Sequence, residues 1–377
     1  MFKGFRLFLL VIFFSKTLQA QTLPISFENL TKLRFDNISN YSDDSSTTTD
    51  SEYNYSALML ELYPKLDFNF NQGVALKTSW VFELLKDPED SGSFENEGLV
   101  LNEFFLNFEN DEAALVIGKY NPNFAYLWDQ NLRNGIWTND IAEIYKITGK
   151  IAISGTMKMN LDNYGQHDLS LTTFYYDDSN LSDSIFTRRD ISQNKVGLAS
   201  DSGSLSSFTL NLKAEDLNVF DGMFYNLSYR FLTNDASLNI EDEEGYSVTF
   251  GFKKNFFNNL VLKPVVEFVD IQNFNSFNND FNQEFGDDQY LPADFKSIIY
   301  ALGLEYRNWG FNVMMSKQDY TKLQTTDEIT VEDFGVSARY RFENNFTIRA
   351  GTRNQEQDNI NMSKDIITVQ FLYDYQF

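Results

Sequence analysis

Few residues of this chain could carry out acid–base, nucleophilic or metal chemistry. His167 is the only histidine, and the 377 residues include no cysteine. His167 follows the short turn "DNYGQ" and shares one side of a predicted strand with Leu169 and Leu171. A catalytic histidine needs a serine or a carboxylate beside it. The apolar neighbours instead predict that His167 points outward, toward lipid headgroups, with a structural role.

Other motifs for catalysis or cofactor binding do not stand out. The sequence shows no Gly-rich phosphate loop, no metal-spaced set of ligands and no paired-carboxylate motif. Acidic stretches such as "DSEY", "DPEDSGSFENE" and "EDEE" are typical of solvated surface. The alternative is a divalent-cation site that bridges lipopolysaccharide or lies at a pore mouth. We expect no enzyme activity, no catalytic or metal-binding residues and no cofactor.

Alternating charge is the chemistry that the sequence does support. In "FGVSARYRFENNFTIRAGTR", residues 334–353, every basic residue falls at an odd position. On a strand such residues share one face, along which they could orient ions and polar solutes. The basic residues predicted to lie on the polar face of their strands are Arg34, Lys77, Arg230, Lys263, Arg339, Arg341, Arg349 and Arg353.

Acidic residues that could face this basic set lie in one long predicted loop, 121–146. The charged residues of that loop are Asp129, Asp140, Glu143, Arg133 and Lys146. A basic wall opposite an acidic loop would create a field across a narrow aqueous passage and orient dipolar solutes without tight binding. Alternatively, the basic residues pair with carboxylates of the wall and only fill space. The candidates for such pairing are Glu61, Glu267 and Glu305.

These side chains can share a face only if their segments are strands. The final segment, "DIITVQFLYDYQF" (365–377), alternates apolar and largely polar positions, from Ile367 to Phe377 on the apolar face. Strict alternation marks a strand whose two sides have different surroundings. Similar patterns predict sixteen strands, near 27–37, 56–70, 74–86, 98–109, 114–120, 147–160, 167–177, 205–213, 222–232, 245–254, 260–271, 296–307, 310–318, 329–342, 346–354 and 364–377.

The connections between these segments alternate between short and long. Turns such as 71–73 and 343–345 alternate with long polar loops such as 121–146 and 272–295. That asymmetry is typical of outer-membrane barrels, whose closure leaves no unpaired strand edge in hydrocarbon. A soluble β-sandwich, the alternative, more often has shorter strands. We predict an all-β fold: a transmembrane, antiparallel, up-and-down β-barrel of about 16 strands with an inward-folded third loop.

The N-terminal residues and the overall charge agree with an exported envelope protein. Lys3 and Arg6 precede an apolar run, and a short polar stretch ends at Ala20. This layout predicts a signal peptide (1–20) followed by the barrel domain (21–377), because an anchor helix would need about 20 apolar residues. The net charge of −24 argues against nucleic acid as a partner and permits cations.

Two segments resemble known bacterial families. "LVIGKYNPNFAYLWD" (115–129) resembles the general porins and related sixteen-stranded barrels, in which such a segment leads into a third loop that folds into the barrel. The last strand, ending in Phe377, resembles the C-terminal recognition signal of outer-membrane barrels. "SGSLSSFTLNLKAEDL" (202–217) is weakly similar to bacterial siderophore porins. The resemblance implies the architecture, the inward loop and a homotrimer, but no particular substrate.

The sequence therefore predicts an outer-membrane porin of a Gram-negative bacterium, for passive diffusion of small hydrophilic solutes and ions. Outer-membrane lipid and lipopolysaccharide are the other expected partners. The alternatives are a ligand-specific channel or siderophore receptor-like barrel, and a barrel enzyme. The predicted pore constriction consists of Arg34, Lys77, Arg339, Arg341, Arg349, Arg353, Asp129, Asp140 and Glu143. With acidic loops and a basic wall, we expect a mild cation preference that is stronger at low salt.

Overall fold

The computed structural model contains strands along most of the chain. It describes residues 25–42, 51–71, 73–85, 91–94, 96–128, 135–161, 164–177, 179, 184, 204–217, 222–234, 241–274, 293–322, 328–358 and 362–376. The predicted signal peptide (1–20), Asp129, Arg133 and Phe377 lie outside the described residues.

Sixteen long strands run through the described part of the chain. They are β1 (Ile25–Ser42), β2 (Ser51–Asn71), β3 (Val74–Leu84), β4 (Glu97–Glu109), β5 (Ala113–Tyr120), β6 (Lys150–Asn160), β7 (Gln166–Tyr176), β8 (Ser207–Leu217), β9 (Met223–Leu232), β10 (Glu243–Phe252), β11 (Leu260–Phe274), β12 (Ala293–Tyr306), β13 (Trp309–Lys322), β14 (Glu328–Arg341), β15 (Phe346–Gln357) and β16 (Met362–Gln376). Two short pieces, Gly92–Ser93 and Lys254–Phe256, pair with β2 and β11.

The sheet closes on itself. Each long strand pairs antiparallel with the next, and β16 pairs back with β1. The closing ladder runs from Glu28 opposite Gln376 to Ser42 opposite Met362. The predicted closed, antiparallel barrel of sixteen strands is therefore confirmed.

Connections of two lengths separate the strands. Short ones, such as 72–73 and 307–308, join strands at one end of the barrel, and longer ones, such as 43–50 and 121–149, join them at the other. We call these the short-turn end and the long-loop end. Because the number of strands is even, β1 begins and β16 ends at the short-turn end.

The outer face of the barrel is apolar and exposed. Along β4, for example, Phe104, Leu106 and Phe108 are all exposed. They alternate with Phe105 and Asn107, which are partly buried and point to the other side of the sheet. Further exposed apolar side chains on this outward face are Leu115, Ile117, Ile153, Leu171, Leu210, Tyr300, Leu302, Phe311, Met315, Phe334, Ile367 and Phe371.

His167 lies on the outward face, as the alternation predicts. It is on the same side of β7 as the exposed Leu171. Its Nδ1 is 2.8 Å from the hydroxyl of Tyr225, and its Nε2 is 3.1 Å from the carbonyl of Tyr164. The ring centroids of His167 and Tyr225 are 5.9 Å apart.

Two short helical elements lie in the connection 121–149. They are the α-helix α1 (Trp137–Ala142) and the 3₁₀ helix Glu143–Tyr145. Another 3₁₀ helix, Phe257–Asn259, forms part of a short turn. None of the described helices is long and apolar enough to cross a membrane.

Strand boundaries differ from the prediction mainly at the long-loop end. The strand predicted at 346–354 continues to Gln357, because the polar residues that follow Asn354 still pair with β14 toward the long-loop end. The strand predicted at 147–160 begins only at Lys150, since the residues before it include a 3₁₀ helix and a buried isoleucine, Ile147.

Barrel closure predicts a specific cross-link in this cysteine-free chain. Asn37 on β1 and Ile367 on β16 are directly opposite and both exposed. The pair Asn37→Cys and Ile367→Cys should form a disulfide on oxidation, because opposite Cβ atoms are about 5 Å apart. Intact mass and gel mobility report the bond. Asn37→Cys with Phe371→Cys is the control, displaced by four residues, about 13 Å; equal cross-linking of the two pairs would contradict this register.

Candidate functional site

Three of the predicted pore residues lie on one rung of the inner wall. Arg339 on β14 is directly opposite Arg349 on β15. Arg349 is opposite Gln370 on β16, which is in turn opposite Arg34 on β1. Each of these side chains is on the face opposite the exposed apolar residues of its strand. Strand register therefore aligns three guanidinium groups along one part of the wall.

A shared carboxylate extends this rung onto β12. Glu305 Oε1 is 2.7 Å from Nζ of Lys263, and it also accepts a hydrogen bond from Nη2 of Arg339. Gly310 on β13 lies between Glu305 and Arg339 on the same rung. A Cβ at this glycine would be 2.5 Å from Nε of Arg339. Glycine leaves the space through which the arginine reaches across β13.

Arg34 joins the wall to the connection 121–149. Its Nε is 2.8 and 2.9 Å from the two carboxylate oxygens of Asp36, and its Nη1 is 3.1 Å from Oδ2 of Asp140. The guanidinium carbon is 5.8 Å from the ring centroid of Trp137. Asp140 and Trp137 both belong to α1. The predicted acidic residue and the predicted basic wall are thus in direct contact here.

The other predicted basic residues have separate surroundings. Arg353 is 2.7 Å from Oδ1 of the buried Asp333, on the neighbouring strand β14. Arg341 is exposed at the last position of β14. Lys77 on β3 is 4.0 Å from Asp67 on β2, so it lies apart from the rung that ends at Arg34. The basic residues therefore do not form one unbroken patch.

A buried carboxylate holds the connection 121–149 against the wall. Glu267 on β11 is fully buried and accepts hydrogen bonds from the backbone N–H groups of Tyr126, at 2.8 Å, and Leu127, at 3.1 Å. The hydroxyl of Tyr145 donates to its other oxygen. Thr249 on β10 donates at 2.7 Å. With four donors, the desolvated carboxylate keeps its hydrogen-bonding capacity satisfied.

Arg230 on β9 forms a second anchor beside the first. Its Nη1 donates to the carbonyl of Tyr145 at 2.8 Å, and its Nη2 pairs with the buried Glu243. The guanidinium also lies 4.6 Å from the ring centroid of Phe124. Burial and the adjacent Glu267 raise the pKa of Tyr145 well above its usual range, so its hydroxyl stays protonated and remains a donor.

Lys146, in the same connection, is surrounded by negative charge. Its Nζ is 3.2 Å from Glu143 and 5.2 Å from the ring centroid of Trp128. Burial lowers the pKa of Lys146, but the carboxylates of Glu143, Glu83 and Glu103 outweigh burial and leave that pKa above its usual value. Glu83 lies on β3 and Glu103 on β4. Asp140 of the connection thus contacts the basic wall residue Arg34, whereas Lys146 lies in the negative field of carboxylates on β3 and β4.

An apolar cluster between the connection and the inner wall was not predicted. From the connection it includes Phe124, Leu127, Trp137, Ile141 and Tyr145, and from β11–β14 it includes Val269, Ile271, Phe295, Ile299, Met314 and Ile329. Sequence reasoning assigned these inward positions to a polar lumen. The segment "SIIYAL" on β12 is apolar at nearly every position, on both faces, which is the signal of a strand buried on two sides.

Sequence reasoning also missed the role of the two anchors. The alternation placed Arg230 and Glu267 on the inward face, where the structure has them. Two of the four donors to Glu267 are backbone groups that follow the Gly-Lys-aromatic-x-Pro stretch, and periodicity cannot pair a loop with a wall strand. Among the described residues, no group of three or more His, Cys, Asp or Glu side chains could hold a metal ion.

Comparison with known proteins identifies the fold. No protein-family model and no curated sequence matches this chain. Among solved structures, OmpF of Salmonella typhi, solved with daunomycin, is similar with a TM-score of 0.56 at 11% identity, covering 93% of this chain and 97% of that chain. The outer membrane channel DcaP of Acinetobacter baumannii gives 0.53 at 11% identity, with 93% and 97% covered. An anion-selective porin from Comamonas acidovorans gives 0.50 at 9% identity, with 93% and 100% covered.

Removal of the Glu267 carboxylate should release the connection 121–149. Glu267→Ala leaves buried donors of Tyr126, Leu127 and Tyr145 without an acceptor, at about 1–3 kcal/mol each. We expect a lower unfolding midpoint in denaturant and new protease cleavage in this connection. Tryptophan fluorescence distinguishes the bound from the released connection, since Trp128 and Trp137 lie in the connection. Glu267→Gln keeps a carbonyl acceptor and should therefore lose less stability than Glu267→Ala. Equal stability of the wild type and Glu267→Ala would contradict the role of Glu267 as an anchor.

Proposed function

We propose that this chain is an outer-membrane porin of a Gram-negative bacterium, which lets small hydrophilic solutes and ions diffuse passively. One observation carries the proposal: the closed barrel is apolar and exposed outside, while its inner wall carries charged side chains at alternate positions. Hydrocarbon accepts a sheet only when every strand edge is paired. Charged side chains could not face lipid, where Arg or Lys costs about 2–4 kcal/mol near the midplane.

The comparison with solved structures supports this reading at the level of fold. OmpF and DcaP have similar barrels at low sequence identity, and DcaP is described as an outer membrane channel. The short-turn end then faces the periplasm and the long-loop end faces the outside. Lipid and lipopolysaccharide surround the belt. The homotrimer implied by the porin resemblance remains part of the proposal.

We further propose that the connection 121–149 lies in the lumen and narrows it. Its support comes from contacts with inward-facing residues on several strands, including Arg34 on β1, Arg230 on β9 and Glu267 on β11. The apolar cluster fills the space beneath it, along β11–β14. Solutes would pass on the remaining side, beside the rung of Arg339 and Arg349.

The field across that passage has a different origin from the one that the sequence suggested. Asp140 is paired with Arg34, and Arg353 is paired with Asp333, so these charges largely cancel locally. The remaining asymmetry lies between the rung of Arg339 and Arg349 and the carboxylates near Lys146. Such a field orients dipolar solutes and admits small hydrophilic ones without tight binding. With acidic loops outside, a mild cation preference remains our expectation.

The surroundings of His167 offer no support for a barrel enzyme. Its two ring nitrogens contact a tyrosine hydroxyl and a backbone carbonyl on the outward face. A catalytic histidine would instead contact a nucleophile with one nitrogen and a carboxylate with the other. A ligand-specific or siderophore-binding channel would instead need a concave cluster of groups matched to its ligand. Saturable binding by the purified protein would favour that second candidate.

Channel formation is the direct test of the proposed function. The purified mature chain, added to planar bilayers, should produce stepwise ion conductance that rises with salt without saturating. A folded barrel should also migrate anomalously on a denaturing gel unless boiled, which provides a control for folding. Folded protein that never conducts would contradict the porin function, and complete block by one ligand would favour a specific channel.

The four wall arginines predicted from sequence should influence ion selectivity. Replacing Arg339, Arg341, Arg349 and Arg353 with glutamine removes positive charge from the lumen. We expect the zero-current potential in a salt gradient to shift further toward cations, most strongly at low salt, because screening is then weakest. A variant with Lys296→Gln and Lys317→Gln, on the outward face, is the control. Unchanged selectivity of the quadruple variant would show that this wall does not line the passage.

A further inference from the structure

The periplasmic end of the barrel has a basic sector, although the chain as a whole has a net charge of −24. We define this basic sector as residues 253–263, 303–312 and 339–349, where the structure describes every residue. It contains seven Lys or Arg residues and only two carboxylates, Glu305 and Glu343. A local excess of positive charge in an acidic protein marks a place where anions would concentrate.

Three basic side chains of this sector, Lys263, Arg339 and Arg349, lie close to one another on the inner wall. Lys263 and Arg339 share the same oxygen of Glu305, so one negative charge serves two positive ones. Arg349 is directly opposite Arg339, and Arg341 lies two residues further along β14, opposite Thr347. Like charges directly opposite on a sheet are destabilising. An anion bound between them would relieve that repulsion.

An open cavity adjoins these residues at the mouth of the barrel. Its volume is about 850 Å³, and its lining includes Glu305, Arg307, Asn255, Asn259 and Asn308. Guanidinium and amide groups are hydrogen-bond donors with the geometry that oxyanions accept, and arginine can donate two parallel bonds to one carboxylate or phosphate. The cavity thus offers space and hydrogen-bond donors for an oxyanion beside Glu305, the carboxylate that Lys263 and Arg339 share.

We propose that the basic sector binds small polyvalent oxyanions, such as phosphates or dicarboxylates, at the periplasmic mouth of the channel. This inference rests on the proposed porin function and adds a direction to it. Acidic residues predominate in the long loops, whereas the basic sector is a local excess of positive charge at the opposite mouth. A polyvalent anion entering from the periplasm meets the sector first, while one from outside must first pass the acidic loops and the constriction.

Single-channel recording with inorganic pyrophosphate as the probe tests this proposal. The orientation of each channel is set by Ser91→Cys in a long loop, labelled with an impermeant biotin–streptavidin reagent from one side. Pyrophosphate added on the periplasmic side should interrupt the current at concentrations that have little effect from the other side. Arg339→Gln with Arg349→Gln should weaken this block roughly tenfold or more, since two charged donors are lost.

Two further variants separate charge from folding. Lys296→Gln with Lys317→Gln removes two positive charges from the outward face and should leave the block unchanged. Arg339→Lys with Arg349→Lys keeps the charge and should keep side-dependent block. Equal block from both sides, or full block in the glutamine variant, would overturn the anion site while leaving the porin function intact. Folded wild-type protein that never conducts would instead reject the porin function itself.

Discussion

Backbone hydrogen bonding is the constraint on which the rest of this structure depends. A strand in an apolar medium leaves N–H and C=O groups unpaired unless a neighbour lies on each side. Sixteen strands satisfy that demand only because β16 returns to β1. Closure gives the sheet an inward and an outward face with different surroundings. The features of the candidate site, from the arginine rung to the apolar cluster, all lie on the inward face.

A second set of interactions, on the inward face of β11–β14, resembles a small protein core. The connection 121–149 packs apolar side chains against β11–β14, and two buried ionic centres, at Glu267 and Arg230, flank that packing. Buried charges add little stability on their own, because desolvation offsets their attraction. Their contribution here is positional: Glu267 accepts hydrogen bonds from two consecutive backbone N–H groups, so one placement of the connection satisfies it and alternatives do not.

The alternation of apolar and polar residues determines how much of this structure could be predicted. Alternation identified the strands and their inward faces, so Arg339 and Arg349 were correctly placed on the same side of the wall. Alternation gives facing but not register, since a strand may slide by two residues without changing sides. The pairing of Arg349 with Gln370 depends on turn lengths and on strand tilt around the whole barrel, and the sequence does not display these.

The path of the connection was still harder to predict. Two of its three contacts with Glu267 use backbone N–H donors, which every residue except proline possesses. Its contact with Arg34 depends on a helix of six residues, α1. The burial of the apolar inward side chains of β12 could have been predicted, but we assigned these positions to the lining of a polar lumen. A strand apolar on both faces signals a second buried surface, and that signal was present in "SIIYAL".

The pairing of β1 with β16 also determines how this chain is connected in three dimensions. Among the sixteen long strands that the structure describes, every other pairing joins neighbours along the sequence, whereas Thr368 donates to Asp36 across a separation of 332 residues. The first and last strands end side by side at the same rim, with Glu28 opposite Gln376. A short linker could therefore join them while new termini open at another short turn. In topological terms the barrel is a ring of equivalent hairpins, and the order in which the chain visits them is not dictated by the fold.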